Sequence, residues 1–206
     1  RAQKPTCCQF ELTFGCGLHC RHCYTDCYNR RVFIKQELDT AGVKKILDKI
    51  RQQGVVWLCF TGGDPLSRKD FPEIYAYAKK KGFLVTVFTS GYFLDKKTLD
   101  IFKKQPPFVV EMTLNAVTEK PFERISQVKG SLHRVIRTVE VLLQEKIPLK
   151  IKTMVTRDNL GQINRIQGFL VSHGLVFRPD YHLLSRLNGD NAICALRVPP
   201  RKILSL

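Results

Sequence analysis

Residues 54–90 read GVVWLCFTGGDPLSRKDFPEIYAYAKKKGFLVTVFTS. The run 55–60 is short, continuous and apolar, which predicts a buried strand, with Gly54 before it and Thr61-Gly62-Gly63-Asp64-Pro65 closing it. Residues 71–81 predict a helix. Asp70 is an N-cap residue type, Pro72 stands just inside, and Gly82 suits the position after the last turn. Residues 83–89 are rich in β-branched and aromatic side chains and predict the next strand.

The same rhythm extends in both directions. Upstream, a strand at 8–14 is followed by a cysteine-rich loop and a helix at 38–53, and Trp57 and Cys59 of the run 55–60 are expected in the core. Downstream come a helix at 94–104, a strand at 108–114, a helix at 131–145, a strand at 148–155, a helix at 160–173 and a strand at 176–184. Helix 131–145 is the clearest, with Leu132, Val135, Ile136, Val139, Leu142 and Leu143 on one face. Six strands alternating with helices point to a parallel sheet covered by helices, either open and doubly wound or closing into a barrel. In both, chemistry belongs at the C-terminal ends of the strands. The cysteine loop, the Gly62-Gly63-Asp64 turn, Ser90-Gly91 and Asn115 all follow expected strands, so the unusual residues gather on one rim.

The 206 residues suit one domain, and no apolar run reaches the roughly 18–20 residues of a membrane span. Lys and Arg number 34 against 18 Asp and Glu, a net charge of +16 that favours anionic partners, nucleic acid among them, but is spread along the chain. The start at Arg1 and the Pro199-Pro200 pair near the end point to a piece of a longer protein. Eight cysteines are many for this length. Cys16, Cys20 and Cys23 crowd one loop in C-x3-C-x2-C spacing, where mutual disulfides would be strained, and ligation in a reducing cytoplasm accounts for them better. Thiolates select iron–sulfur clusters, zinc or copper(I). Cys27, His19 and His22 keep a zinc site, and with it a nucleic-acid-binding module, among the alternatives.

The C-x3-C-x2-C loop after the first strand resembles the hallmark of the radical S-adenosylmethionine (SAM) superfamily. The resemblance implies a partial (β/α)6 TIM-like barrel over residues 1–206, with 1–14 as lead-in and first strand and 185–206 as a linker towards a further C-terminal domain. It implies a [4Fe–4S] cluster on Cys16, Cys20 and Cys23, whose fourth iron is chelated by S-adenosylmethionine. In that family one electron from the reduced cluster cleaves the sulfonium to methionine and a 5′-deoxyadenosyl radical, which abstracts a hydrogen atom from substrate. Gly62-Gly63-Asp64-Pro65 resembles the family's glycine-glycine-acid-proline turn at the methionyl ammonium, with Asp64 in place of the commoner glutamate. Thr89-Ser90-Gly91 resembles Thr-Asn-Gly after strand three. Thr113-Leu114-Asn115 resembles Ser-Leu-Asp at the end of strand four, with Thr113 at the cofactor's carboxylate and Asn115 facing the site. His22 takes the place of a side chain set against adenine.

In strand five, alternation puts Lys150, Lys152 and Met154 on one face, where two lysines suit a carboxylate. The order of these motifs, with Lys152-Thr-Met-Val-Thr-Arg-Asp-Asn159, most resembles the branch that matures peptides and proteins, often with an appended SPASM or twitch domain. That implies a peptide or protein substrate and an electron donor such as flavodoxin or ferredoxin. A radical enzyme of cofactor synthesis or tRNA modification is the second enzyme reading.

Overall fold

The computed structural model describes residues 4–27, 29 and 31–203, with the backbone alone at Arg31. Residues 1–3 of the expected lead-in and 204–206 of the expected linker lie outside the described residues. The strands are β1 (Cys7–Glu11), β2 (Trp57–Thr61), β3 (Leu84–Thr89), β4 (Val109–Thr113), β5 (Leu149–Met154) and β6 (Pro179–Asp180). They form one parallel sheet in sequential order. The helices are α1 (Thr40–Gln52), α2 (Phe71–Lys80), α3 (Lys96–Lys104), α4 (Glu119–Ser126), α5 (Ser131–Gln144), α6 (Ile163–Ser172) and the short α7 (Pro200–Ile203).

Sequential order decides between the two architectures. A doubly wound sheet reverses its strand order at a switch point, whereas right-handed crossovers that always advance the same way keep every helix on one face. The sheet is therefore singly wound and curls into a partial barrel, left unclosed after β6. Its outer face is apolar. Leu58 and Phe60 of β2, Val85 and Val87 of β3, Val110 and Met112 of β4 and Ile151 of β5 are buried. The helical layer meets them with an aromatic chain in which Phe60 packs edge-on against Phe71, at 5.9 Å between ring centroids, and Phe71 against Phe102 at 6.3 Å. Each such buried ring contributes on the order of 1.5–3 kcal/mol.

The opposite face carries Gln9, Glu11, Trp57, Cys59, Thr86, Glu111, Thr113, Lys150, Lys152 and Met154, as the strand registers require. Two core expectations are corrected here. Trp57 is 39% exposed and stacks edge-on with Phe108 at 4.6 Å, and Cys59 is half-buried on the same open face. Burial, aided by Glu111, Cys7 and Cys8, pushes the Cys59 thiol up to about 12.

The ends of α1, α2 and α3 follow local chemistry with one exception. The carboxylates of Asp39 and Asp95 accept from Gly42 N–H and Thr98 N–H, capping α1 and α3. Gly82, at φ +79, closes α2 in the left-handed conformation. Asp70, expected as the cap of α2, makes no cap bond, because its carboxylate takes the Arg68 guanidinium and the Thr40 hydroxyl instead. The last strand is two residues rather than nine, and Pro179, which has no N–H to give a ladder, stands at its start.

Candidate functional site

The cysteine loop leaves β1 and is fixed from four sides. At its base, Glu37 accepts from Thr13 Oγ1 at 2.9 Å and Phe14 N at 2.6 Å. The turn after β2 presses against it: Gly63 N donates to Thr13 O and Asp64 N to Gly15 O, at 2.6 and 2.7 Å. On a third side Gly17 lies so close to Tyr92 and Phe93 that a Cβ there would sit 2.3 Å from the Tyr92 ring. On the fourth, His19 N and Arg21 N donate to the carbonyls of Ser126 and Ile125, the open C-terminal end of α4. Helix α4 was not expected from the sequence. It is short, and its Pro121 reads as a breaker, yet buried Phe122 and Ile125 hold it in place. Arg21 Nη1 also bonds both carboxylate oxygens of Asp158 at 2.8 Å, which ties the loop to the segment after β5.

Cys16, Cys20 and Cys23 are all partly buried, and Cys27 is buried behind them. The Cys23 and Cys27 sulfurs are 3.8 Å apart, and Cys27 also meets Cys16. Burial and the neighbouring thiols push Cys20 up to about 12. The hydrogen bond with Cys27, then burial, pushes Cys23 up as well. Thiols so placed stay protonated at neutral pH unless a cation takes their charge, and a coordinating metal does so outright. Among the described residues no three His, Cys, Asp or Glu side chains converge on a single ion. Three soft donors clustered on one short loop fit an iron–sulfur cluster.

The glycines of the turn are needed for this approach. Gly62 has φ +129, and a Cβ at Gly62 or Gly63 would lie 2.4 Å from the carbonyl oxygen of Thr13 or Gly15 respectively. Asp64 is fully buried and accepts from Leu66 N, Thr89 Oγ1, Ser90 N and Ser90 Oγ. Burial pushes its carboxyl up, while these donors work to keep it ionised. Thr89, Ser90 and Asp64, expected at the cofactor, thus spend their side chains on one another and weld the turn after β2 to the turn after β3.

The other side of the rim is built on two asparagines. Asn115 Oδ1 accepts from Met154 N at 2.9 Å, and its amide nitrogen lies 3.2 Å from His22 Nε2. An amide nitrogen can only donate, so Nε2 accepts and the ring proton sits on Nδ1. Burial lowers the His22 pKa to about 4, against the pull of Asp158, so the ring is neutral. Asn159 is buried beneath, donating to Asn115 O and Met154 O while its Oδ1 accepts from Thr156 N. The sequence signal for Asn159 was its place in the Thr-Arg-Asp-Asn run, without a role attached; Glu37 had no signal at all.

His22, Asn115 and Met154 are therefore brought together, and Thr113 is half-buried on the open face beside them. Lys152 is answered from within the chain, its Nζ 3.2 Å from Asp180 and 3.9 Å from Glu111. Burial works against the Asp180 carboxylate, yet His182 N–H and Lys152 hold it below the ordinary value. Lys150 is exposed one pleat further down, opposite Glu111. Tyr24 leans onto the open face and donates to Glu11 at 3.1 Å.

Solved structures share this arrangement of strands and helices. Streptococcus suis SuiB bound to its precursor peptide SuiA superposes with a TM-score of 0.75 at 16% identity, over 95% of this chain and 42% of that one. Native anSMEcpe with bound AdoMet and the Kp18Cys peptide gives 0.71 at 14% identity, over 94% and 55%. Among curated proteins, the PqqA peptide cyclase of Gluconobacter oxydans (strain 621H) is 29% identical over 153 residues, 74% of this chain and 42% of the relative. The Fe-coproporphyrin III synthase of Methanosarcina barkeri (strain Fusaro / DSM 804) is 26% identical over 184 residues, 89% and 45%. This chain thus spans less than half the length of those two relatives. The Radical SAM superfamily model matches residues 10–170, from β1 to α6 and across every element of the rim, and the chain belongs to that superfamily.

Proposed function

We propose that this chain is the core of a radical SAM enzyme that modifies a ribosomally made peptide or protein. The observation that carries the reading is the rim itself, where three thiols, the Gly62-Gly63 turn and the His22–Asn115 pair meet at the ends of β1, β2 and β4. Members of the superfamily use a [4Fe–4S] cluster and S-adenosylmethionine, which together supply a reducing electron and a 5′-deoxyadenosyl radical. Cys16, Cys20 and Cys23 would hold the cluster. The backbone of Gly62 and Gly63, with no Cβ in the way, would let carbonyls approach the methionyl ammonium. Asp64, Thr89 and Ser90 position that turn. Neutral His22 offers a flat ring and an Nδ1–H to the adenine side, Asn115 and Met154 fix its place, and Thr113 faces the carboxylate. The open sheet face, with Glu11, Glu111, Lys150 and Lys152, is the surface for substrate.

The peptide reading is supported by the kinship with PqqA peptide cyclases and by the fold shared with SuiB in complex with SuiA. A soluble electron donor of the flavodoxin or ferredoxin class, and hence a cytoplasmic setting, goes with it; no helix among the described residues is long and apolar enough to cross a membrane. Kinship with Fe-coproporphyrin III synthase favours a second reading, in cofactor synthesis. The test is anaerobic. Dithionite-reduced, cluster-loaded protein should release 5′-deoxyadenosine and methionine from S-adenosylmethionine, and a cognate precursor peptide should raise the rate where a porphyrin does not. Release no greater than from the Cys20→Ala variant refutes the enzyme reading, and stimulation by porphyrin alone refutes the peptide one.

A further inference from the structure

The segment after β6 turns back over the cysteine loop. Leu187 N donates to Tyr24 O at 2.9 Å, and a cavity of about 320 Å³ lies between the two, walled by Cys20, Cys23 and Cys27 on one side and Arg186 and Ile193 on the other. The turn 186–190 is built around Arg186. Its N–H donates to Asp190 O, its carbonyl accepts from Gly189 N, and its Nη1 bonds Asp190 Oδ2 at 2.8 Å. Asp190 is itself anchored, its other carboxylate oxygen accepting from Ala192 N. The guanidinium is thus held by one edge, while its Nε–H is buried with no partner. Buried donors in folded proteins find acceptors, and an orphan beside a cavity points to an acceptor that fills it. Two other polar groups on that cavity are paired: the Asp26 carboxylate accepts from Asn29, and the Arg21 guanidinium bonds Asp158.

Resting on the proposed function, we infer that Arg186 is a positioning residue for the metal centre, its Nε–H donating to the thiolate sulfur of Cys20 or Cys23 and its charge favouring the reduced cluster. Hydrogen bonds to the sulfurs and net local charge are what set iron–sulfur potentials. The one-electron reduction, fed by an external low-potential donor, adds one negative charge to the cluster, and a fixed cation stabilises that state more than the oxidised one. Arg186 lies beyond the residues that the superfamily model matches, in the segment expected from the sequence as a linker.

The test is an EPR-monitored redox titration of the cluster-loaded chain with iron content measured in parallel. Arg186→Met should keep the iron and lower the ratio of reduced to oxidised cluster at a fixed potential about tenfold, which for a one-electron couple is about 59 mV downward. Arg186→Lys, which keeps the charge but not the planar donor, should move the potential less in the same direction, and it serves if the Met variant does not fold. Full iron with a wild-type potential in the variants overturns the assignment of Arg186. A wild-type chain that cannot be loaded with iron overturns this inference and the proposed function together.

Discussion

Replacing Gly63 by Ala should damage the metal centre from a distance. The added Cβ would sit 2.4 Å from Gly15 O and 2.9 Å from Phe14 O, where ordinary contacts begin near 3.4 Å, so the loop base must retreat by about 1 Å. The neighbour is backbone and has no rotamer to yield. The bonds from Gly63 N to Thr13 O and from Asp64 N to Gly15 O bridge the same gap and stretch with it. At about 1 kcal/mol for each bond and about 1–3 kcal/mol for overpacking, the loss comes to roughly 4 kcal/mol. For a chain of this size that lowers Tm by roughly 8–16 °C. Cys16 adjoins Gly15, and metal–ligand distances tolerate only about ±0.2 Å, so iron content should fall as well. Calorimetry and iron analysis read the two effects. A Gly63→Ala protein with wild-type Tm and full iron refutes the argument that this turn is packed against the cysteine loop.

Gly168 is the matched control. It lies within α6 where a Cβ meets nothing, so Gly168→Ala should stabilise by about 0.5–1 kcal/mol, seen as a small rise in Tm. Asn159→Ala removes one buried side chain that serves Asn115 O, Met154 O and Thr156 N. It should cost about 3 kcal/mol or more in denaturant titration, and an unchanged midpoint would show that these groups find other partners. Cys16, Cys20 or Cys23→Ala should abolish the iron–sulfur absorption, while Cys59→Ala, on the open sheet face, should leave it intact. The Arg68 guanidinium, followed by Thr40, holds the Asp70 carboxyl below its ordinary value of 3.8, despite burial. Its stabilisation is present above that value and is lost as pH falls through the lower, folded-state one. Tm should therefore drop on acidification in that window, and the drop should be smaller in Asp70→Asn.

Apart from α4, the order of strands and helices was legible in the sequence, because most elements carry a period or a closing glycine or proline of their own. Apolar residues recur every three or four positions in α5, and β-branched runs are closed by glycine or proline around β2 and β3. The three thiols were legible as well, since a short loop forces Cys16, Cys20 and Cys23 together whatever lies around them. What strand runs such as 55–60 do not encode is which face meets the helices. With apolar residues at every position there is no alternation to read, and only the register with β1 and β3 turns Leu58 and Phe60 outward and Trp57 and Cys59 inward. The choice of a singly wound, unclosed sheet also required the strand order, a relation among segments dozens of residues apart. The same holds for partners. The partners of Asp64 cannot be read from its turn, because Thr89 and Ser90, which fold over it, lie some 25 positions on. Arg186 reads as one basic residue among 34, and its unpaired Nε–H exists only where the chain has returned to the cysteine loop. Periodicity and spacing are local and survive in the sequence. Burial and hydrogen-bond partnership are properties of pairs that only chain closure brings within reach.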